Sequence, residues 1–403
     1  MNAPVKTPVK VPEVISLGCR LNISESERMK AMLAQTEGSD ESLVVVNSCA
    51  VTSEAVRQTR QAIRKARRAN PDARLLVTGC AADIERDQIA AMPEVDGLIA
   101  NESKLDTRAW NAPQEPPPIV PTRTRAFIAV QNGCDHACTF CVIPQGRGKS
   151  RSLSIEDVSR EAKLHLEMGA KEIVLTGVDV TSWGDDFATK TSIGTLIVNI
   201  LQHFGTLPRL RMSSVDGIEI DEELFEIFAS DARMMPHLHL SLQHGADLIL
   251  KRMKRRHLRS DAVDLVSRLK ARRPEIAIGA DLIAGFPTET DAHHQENLSI
   301  IRELNIVHGH IFPYSPRPGT PAARMPQLDR SIIKTRAAEL RAAVAEVRAK
   351  WLQSLVGTPL QVLAEKDSSG YAENFARVRL PAGTSAGTIV TVTPTAVAEG
   401  MLQ

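Results

Sequence analysis

Three times before residue 81 the chain runs through a short apolar, β-branched stretch and ends it on a cysteine. The stretches are "EVISLGC" (13–19), "LVVVNSC" (43–49) and "RLLVTGC" (74–80). Each leads into a helix-like segment. One covers 24–35, with Ser24 as cap and Glu27 three residues on. The second covers 52–70 and stops before Pro71; the third covers 82–92 and opens on Asp83. A further short strand is expected at 97–100. Strand–helix alternation of this kind implies a parallel sheet with right-handed crossovers. All strands of such a sheet point the same way, so the residues just past their carboxyl ends gather along one edge, where open α/β sheets bind ligands. Cys19, Cys49 and Cys80 all hold that position. The plainer alternative is three separate buried cysteines acting as small apolar residues.

The whole chain has 403 residues, enough for two or three domains. Aromatic residues are 3% of it, so aliphatic side chains do most of the packing and base-stacking platforms are few. A net charge of +1 supplies no global field for nucleic acid, so any RNA binding must use local patches. Two basic runs exist, "RQTRQAIRKARR" (57–68) and "KRMKRRHLR" (251–259); each reads as a patch or as a solvated helix face. No apolar run is long enough for a membrane span. The opening "MNAPVKTPVKVPEV" has no apolar core of a signal peptide, and residues 1–12 read as a disordered tail. A cytoplasmic location is expected. Thiols stay reduced there, so six cysteines read as metal or redox ligands rather than disulfides.

"APQEPPPIVPT" (112–122) is a stiff linker that closes a first domain, 13–111. A second strand–helix series follows, 123–353. Its strands are expected at 126–131, 171–177, 209–214, 237–242, 277–285 and 307–314, with helices between, such as 154–169 and 291–305. Six units are too few for a closed eight-stranded barrel and suit an open, partial one whose working face is the strand carboxyl ends. The last residues, 354–403, hold alternating strands at 359–366, 375–380 and 388–393, a small β-barrel of the oligonucleotide-binding general type.

After the first barrel strand comes "GCDHACTFC" (133–141), with Cys134, Cys138 and Cys141. Clustered loop thiolates are the usual ligands of iron–sulfur centres. Zinc sites pair two-cysteine halves, and no fourth cysteine is near. His136 sits inside the first gap and reads as a loop residue facing solvent or substrate. Three thiolates would hold three irons of a four-iron cluster and leave the fourth open.

This C-x3-C-x2-C loop resembles the radical S-adenosylmethionine superfamily. The resemblance implies that S-adenosylmethionine chelates the open iron and is split by one electron to a 5′-deoxyadenosyl radical, with Cys134, Cys138 and Cys141 as the catalytic cluster ligands. It also implies cofactor contacts. Gly177 and Asp179, in "LTGVD" (175–179), would meet the amino group. Ser241 and Gln243, in "SLQHG" (241–245), would lie near the ribose, and Gly285, in "IAGFPTE" (283–289), near the adenine. Each also has a plain reading as a turn or cap residue.

Two three-cysteine sites in one chain narrow the likeness. "SLGCRLNISESE" (16–27), "VVNSCAVTSEA" (45–55), "LLVTGCAA" (75–82), "GCDHACTFCVIPQGRGKSRS" (133–152) and "GADLIAGFPTET" (279–290) together resemble the methylthiotransferase family. That implies an auxiliary four-iron cluster on Cys19, Cys49 and Cys80, hence two [4Fe-4S] clusters. It implies two stages: methylation of a sulfur on the auxiliary cluster, then radical activation of the target carbon and methylthio transfer. "GYAENFARVRL" (370–380) resembles the TRAM-like RNA-binding domain that ends family members, with Arg377 and Arg379 on one strand face.

Three branches of the family act on isopentenyladenosine in tRNA, on threonylcarbamoyladenosine in tRNA, or on a ribosomal-protein aspartate. "FPYSPRPGTPAARMP" (312–326) with the cysteine loop is most similar to the threonylcarbamoyladenosine branch. A threonylcarbamoyl group carries a carboxylate, so a pocket cation is expected, with Arg147, Arg151 and Arg317 as candidates; an isopentenyl group would need an apolar lining. "NISESE" and "PQGRG" lack aromatics often seen there, which bears on the pocket's shape. Expected partners are a tRNA anticodon stem-loop, an electron donor such as flavodoxin or ferredoxin, and a sulfur donor, for a chain working as a monomer away from membranes. The alternatives of another class are a two-cluster electron carrier or scaffold, and a zinc-binding RNA adaptor.

Overall fold

The structure is a computed structural model that describes residues 12–34, 42–112 and 124–403. The expected tail and linker lie outside those residues, apart from Pro12 at the end of the one and Ala112 at the start of the other. The chain divides into two compact units. One holds residues 1–120 and 142–148; the other holds 121–141 and 149–403.

In the first unit β1 (Glu13–Ser16), β2 (Leu43–Ser48), β3 (Arg74–Gly79) and β4 (Gly97–Leu98) form a parallel sheet in sequential order. Both faces are covered, as all-parallel sheets require. Val44, Val46 and Val77 pack with Ile63 and Ile89 on one side. Val14, Val45 and Leu76 pack with Met29, Met32 and Trp110 on the other. Helix Ser53–Ala69 starts as expected, with the Thr52 side chain accepting from the Ala55 amide at 3.1 Å. Two helix starts differ from expectation. The first helix is Arg20–Leu33 with Cys19 as its extended N-cap residue, so Ser24 lies inside it. Gly18, at φ +91°, makes the reversal that lets the helix begin early. The third segment is two short helices, Cys80–Ile84 and Arg86–Ala90, and Cys80 rather than Asp83 opens it.

In the second unit, β5 (Ala126–Ala129) leads to a small hairpin, β6 (Gln131–Asn132) with β7 (Arg151–Ser152). Then come β8 (Glu172–Thr176), β9 (Arg209–Met212), β10 (His237–Gln243), β11 (Ala277–Ala284) and β12 (Ile306–Pro313). They form two parallel three-stranded sheets, β5-β8-β9 and β10-β11-β12. Parallel bridges Leu210–Met234 and Val215–Leu240 join them into the open six-stranded barrel. Period-two alternation sorts the side chains. Leu238, Leu240 and Leu242 face the covering helices in the main core. His237, His239 and Ser241 take the opposite face, where His239 and His310 both lie 3.1 Å from Asp281.

The C-terminal module is one sheet made of β13 (Leu360–Ala364), β14 (Ser369–Ala372), β15 (Arg377–Arg379), β16 (Ile389–Val392), β17 (Val397–Ala398) and β18 (Met401–Leu402), in the order β16-β13-β14-β15-β18-β17. It does not stand free of the barrel. Arg211 of β9 donates to the carbonyls of Ala372 and Glu373, and Phe375 stacks on His237 at 4.9 Å. Buried Glu172 takes a two-pronged bond from Arg211, 3.1 Å on each side. Removing one partner of such a pair costs about 3–5 kcal/mol.

Candidate active site: two cysteine trios

The N-terminal trio is built from three strand ends. Cys49 and Cys80 are buried and Cys19 is exposed. A side chain on Gly18 would stand 2.8 Å from Cys49 Sγ, so the turn before Cys19 presses directly on Cys49. Ser48 fastens the other edge: its Oγ donates to Thr78 O and accepts from the amides of Ala81 and Ala82, just past Cys80. Asn22 donates to Leu17 O at 2.6 Å and to Ser48 O at 3.0 Å, tying the approach to Cys19 to the approach to Cys49. Asn101 donates towards Cys80 Sγ at 3.9 Å. Burial pushes the Cys49 thiol up to about 11, and the neighbouring Cys19 and Cys80 push the same way. Three thiols this close would be deprotonated by binding a metal centre, which releases their protons.

Cys134, Cys138 and Cys141 are all half-buried on the loop after β6. The loop is anchored at Thr139, whose amide donates to Met253 O at 3.1 Å and whose hydroxyl donates to Arg252 O at 2.8 Å. Gln131 holds the turn beside it. Its Oε1 accepts from the amides of Val178 and Asp179, while its Nε2 donates to Gly133 O and Ser150 Oγ. A side chain on Gly177 would stand 2.9 Å from that Oε1, so the position needs glycine for this close approach.

Of the predicted cofactor positions, Asp179 borders this loop directly and Ser241 through Arg255. Asp179 Oδ2 lies 3.8 Å from Cys134 Sγ. Ser241 O accepts from Arg255, whose Nη1 also points at Cys138 Sγ from 3.7 Å. Gln243 ends β10 in the left-handed region, φ +69°, where the register with β11 shifts. Gly285 has φ +72°, its open side is filled by Ile333, and the next residue, Phe286, meets Phe140 of the loop edge to face.

Sequence reasoning missed a ring of charge around the loop. His136 Nε2 lies 2.7 Å from Asp179 and 3.5 Å from Glu219; these carboxylates hold its pKa up to about 10. Asp216 takes Arg255 at 2.9 Å and Arg256 at 3.4 Å, with His257 3.6 Å away. Burial works to raise the Asp216 pKa, but His257 and Arg255 outweigh it and bring it down to about 2. The run "KRMKRRHLR" is therefore neither a solvated helix face nor an open basic patch. Arg252, Arg255, Arg256, His257 and Arg259 all bond inward or to neighbouring acids. Only their partners, scattered through the chain, could have signalled this.

The predicted substrate arginines fare differently. Arg147 is 4% exposed and spent on Glu25 and Asn22 within the first unit, so it is not available to a substrate carboxylate. Its place just after the cysteine loop suggested the substrate role, but residues 142–148 pack with the first unit. Arg317 is buried behind a turn in which Thr320 bonds its carbonyl. Arg151 is exposed. Arg377 and Arg379 pair with Asp367 at 2.6 Å and Glu399 at 3.4 Å, and both remain partly open to solvent.

Each trio offers thiolates alone, a donor set that suits iron and sulfide.

Residues 128–300 match the radical SAM superfamily, and residues 12–100 match a family described as Uncharacterized protein family UPF0004. The chain is 41% identical to threonylcarbamoyladenosine tRNA methylthiotransferase MtaB of Rickettsia prowazekii, over 97% of this chain and 96% of that one. It is 31% identical to the protein of that name in Bacillus subtilis, over 90% and 88%. It is 32% identical to tRNA-2-methylthio-N(6)-dimethylallyladenosine synthase of Erythrobacter litoralis, again over 90% and 88%. Among solved structures it shares its fold with the radical S-adenosylmethionine methyltransferase TsrM of Kitasatospora setae, at TM-score 0.53 and 14% identity over 75% and 78% of the two chains. Full-length kinship at that identity, with one cysteine trio at strand ends and the other in the loop after β6, places the chain in the methylthiotransferase family of radical S-adenosylmethionine enzymes.

Proposed function

We propose that this chain transfers a methylthio group to carbon 2 of N6-threonylcarbamoyladenosine at position 37 of tRNA, beside the anticodon. The observation that carries the reading is the 41% identity to a threonylcarbamoyladenosine tRNA methylthiotransferase along nearly the whole of both chains. The radical S-adenosylmethionine domain implies one four-iron cluster and the cofactor. In our reading Cys134, Cys138 and Cys141 hold that cluster, and Cys19, Cys49 and Cys80 hold a second that carries the sulfur. Bound together, cluster and cofactor supply one-electron chemistry that activates an otherwise inert C–H bond.

The chain's own work is to place and shield. Gln131 fixes the Gly177–Asp179 turn against the cysteine loop, and in our reading the Asp179 carboxylate and the turn's carbonyl oxygens accept from the cofactor's amino group. Ser241, Gln243 and Gly285 end strands on the same face and suit its ribose and adenine. Arg255 donates towards the Cys138 sulfur, a hydrogen bond of the type that tunes cluster potential. Arg151 is the accessible cation for the threonylcarbamoyl carboxylate, while Arg317 is buried; Arg377 and Arg379 suit the RNA backbone. A ferredoxin or flavodoxin would deliver the electron, and a separate donor the sulfur. No described helix is long and apolar enough to cross a membrane. We place the enzyme in the cytoplasm, acting as a monomer on the tRNA anticodon stem-loop.

Mass spectrometry of nucleosides from total tRNA of a strain lacking the gene tests this. The expected result is loss of 2-methylthio-N6-threonylcarbamoyladenosine with accumulation of its unthiolated precursor. Loss of the methylthio-isopentenyl nucleoside instead would keep the chemistry and move the substrate. No change in either would overturn the tRNA reading.

A further inference from the structure

The interior face of the barrel carries a group of ligating side chains that the reaction as read above does not use. His239 on β10, Asp281 on β11 and His310 on β12 converge there from three neighbouring strands. His239 Nε2 and His310 Nδ1 each lie 3.1 Å from the same carboxylate oxygen, Asp281 Oδ1. The three atoms all fall within 4.8 Å of one another. The sheet makes this convergence. Asp281 pairs in register with His310, so their side chains leave one face side by side. His239 pairs with Gly279, two residues before Asp281. Its ring leans over that position to reach the carboxylate, and the glycine clears the way. A side chain on Gly279 would stand 2.3 Å from His239 Nδ1.

Two features set this group apart from a histidine pair that merely steadies a carboxylate. The first is charge. Among the described residues, the ion pairs of Asp281 are with these two imidazoles alone. Asp216, by contrast, is already answered by Arg255 and Arg256. With both rings neutral, the charge of Asp281 is left for a cation. Arg348 does not supply one, since it donates to His308 Nδ1 at 2.9 Å, two residues before His310. The second feature is access. The His239 side chain is 9% exposed, Asp281 20% and His310 62%. An ion here would be gripped on one side and open on the other. Three protein ligands with one open position are the usual set of a catalytic zinc. Two imidazoles and one carboxylate with open positions also suit ferrous iron. Bonds of about 2.0–2.2 Å set such donors about 3.0–3.6 Å apart, so the two 3.1 Å separations need little change.

We propose that His239, Asp281 and His310 form a binding site for a first-row divalent cation, zinc or ferrous iron, apart from both cysteine trios. Binding is simple ligand addition with no change of oxidation state. Each ring nitrogen that donates to Asp281 gives its lone pair to the metal instead, and its proton passes to the other nitrogen of the same ring. The ion pins β10, β11 and β12 at one point. Its open position takes water or another oxygen ligand, on the strand face that also carries Ser241.

The test uses full-length protein, reconstituted anaerobically with iron and sulfide so that its thiolates are occupied. It is dialysed against zinc, and bound zinc is counted by elemental mass spectrometry. About one tightly held zinc per chain is expected. X-ray absorption at the zinc edge should show nitrogen and oxygen neighbours at about 2.0–2.2 Å. Sulfur neighbours at about 2.3 Å would put the ion on cysteine and overturn the site. His310 is exposed on an edge strand, so His310→Gln should fold normally. It should weaken zinc binding by at least about a hundredfold, since losing even an outer partner of a metal ligand costs about ten- to a hundredfold. His308→Gln, beside it but held by Arg348, should bind zinc as the parent does. No loss in His310→Gln, or equal loss in both variants, overturns the proposal. A parallel arm replaces zinc with isotopically enriched ferrous iron. A high-spin ferrous signal by Mössbauer spectroscopy, absent from His310→Gln, would support the site and assign it to iron. Failure to hold either ion overturns it.

Discussion

The two cysteine trios solve one problem in opposite ways. Cys134, Cys138 and Cys141 lie within one short loop, and the fold's task is to surround them with Asp179, Asp216, Glu219 and their cations. Cys19, Cys49 and Cys80 have no local spacing at all; the parallel sheet makes their spacing, and the surrounding charge is sealed inside. A half-exposed loop ringed by ion pairs suits a site that must admit and release a cofactor. A trio with Cys49 and Cys80 buried, Cys19 alone exposed, and the ion pairs of Glu25 with Lys104 and Arg147 sealed beside it suits one that keeps what it holds.

The largest test of this contrast is by cysteine replacement. Cys134→Ala, Cys138→Ala or Cys141→Ala should lower reductive cleavage of S-adenosylmethionine by more than about a thousandfold, read by chromatography of 5′-deoxyadenosine. Cys19→Ala, Cys49→Ala or Cys80→Ala should spare that cleavage and abolish methylthiolation. Loss of cleavage from a folded N-terminal variant would break the division of labour.

Asp216→Asn strips the arginine pair of its shared anion. Chemical denaturation should show the second unit weakened by about 3–5 kcal/mol, the cost of breaking a buried pair. Gln131→Ala is milder, about 1–3 kcal/mol, because neutral hydrogen bonds are lost. Its sharper signature is cofactor affinity, which should fall about tenfold by equilibrium binding as the Gly177–Asp179 turn loosens.

The smallest effect is on acid stability. The Asp216 pKa is about 2 in the fold, below the unfolded value of about 3.9. A depressed carboxyl contributes stability that is present above the unfolded value and lost as pH falls through the folded one. Melting followed from about pH 5 to about pH 2 should therefore decline less steeply below about pH 4 in Asp216→Asn than in the parent protein.

The sheet and its cysteine edge were legible because β-branched runs, cysteines and helices recur in fixed order. The six barrel strands were legible for the same reason. What escaped was anything set by a distant partner. "KRMKRRHLR" looks like a patch until Asp216, Glu219, Ser241 and Thr288 are brought beside it. The alternating histidines of β10 and β12 read only as strand residues until Asp281 stands between His239 and His310. Ser24 looks like a cap because the capping pattern is local, while the true start follows from the Gly18 reversal. Arg147 looks like a ligand for substrate because nothing in "PQGRG" names Glu25, 122 residues earlier.

Residues 142–148 leave the barrel's cysteine loop directly after Cys141 and belong to the first unit. This bears on how the gene can be divided. A fragment cut at the proline-rich segment would carry Cys19, Cys49 and Cys80 but not Arg147, taking that guanidinium from Glu25 and Gly146 from Asn101. The N-terminal sheet cannot be grafted onto another barrel as a simple cassette. A functional exchange would have to carry residues 142–148 as well, so the two halves inherit their changes together.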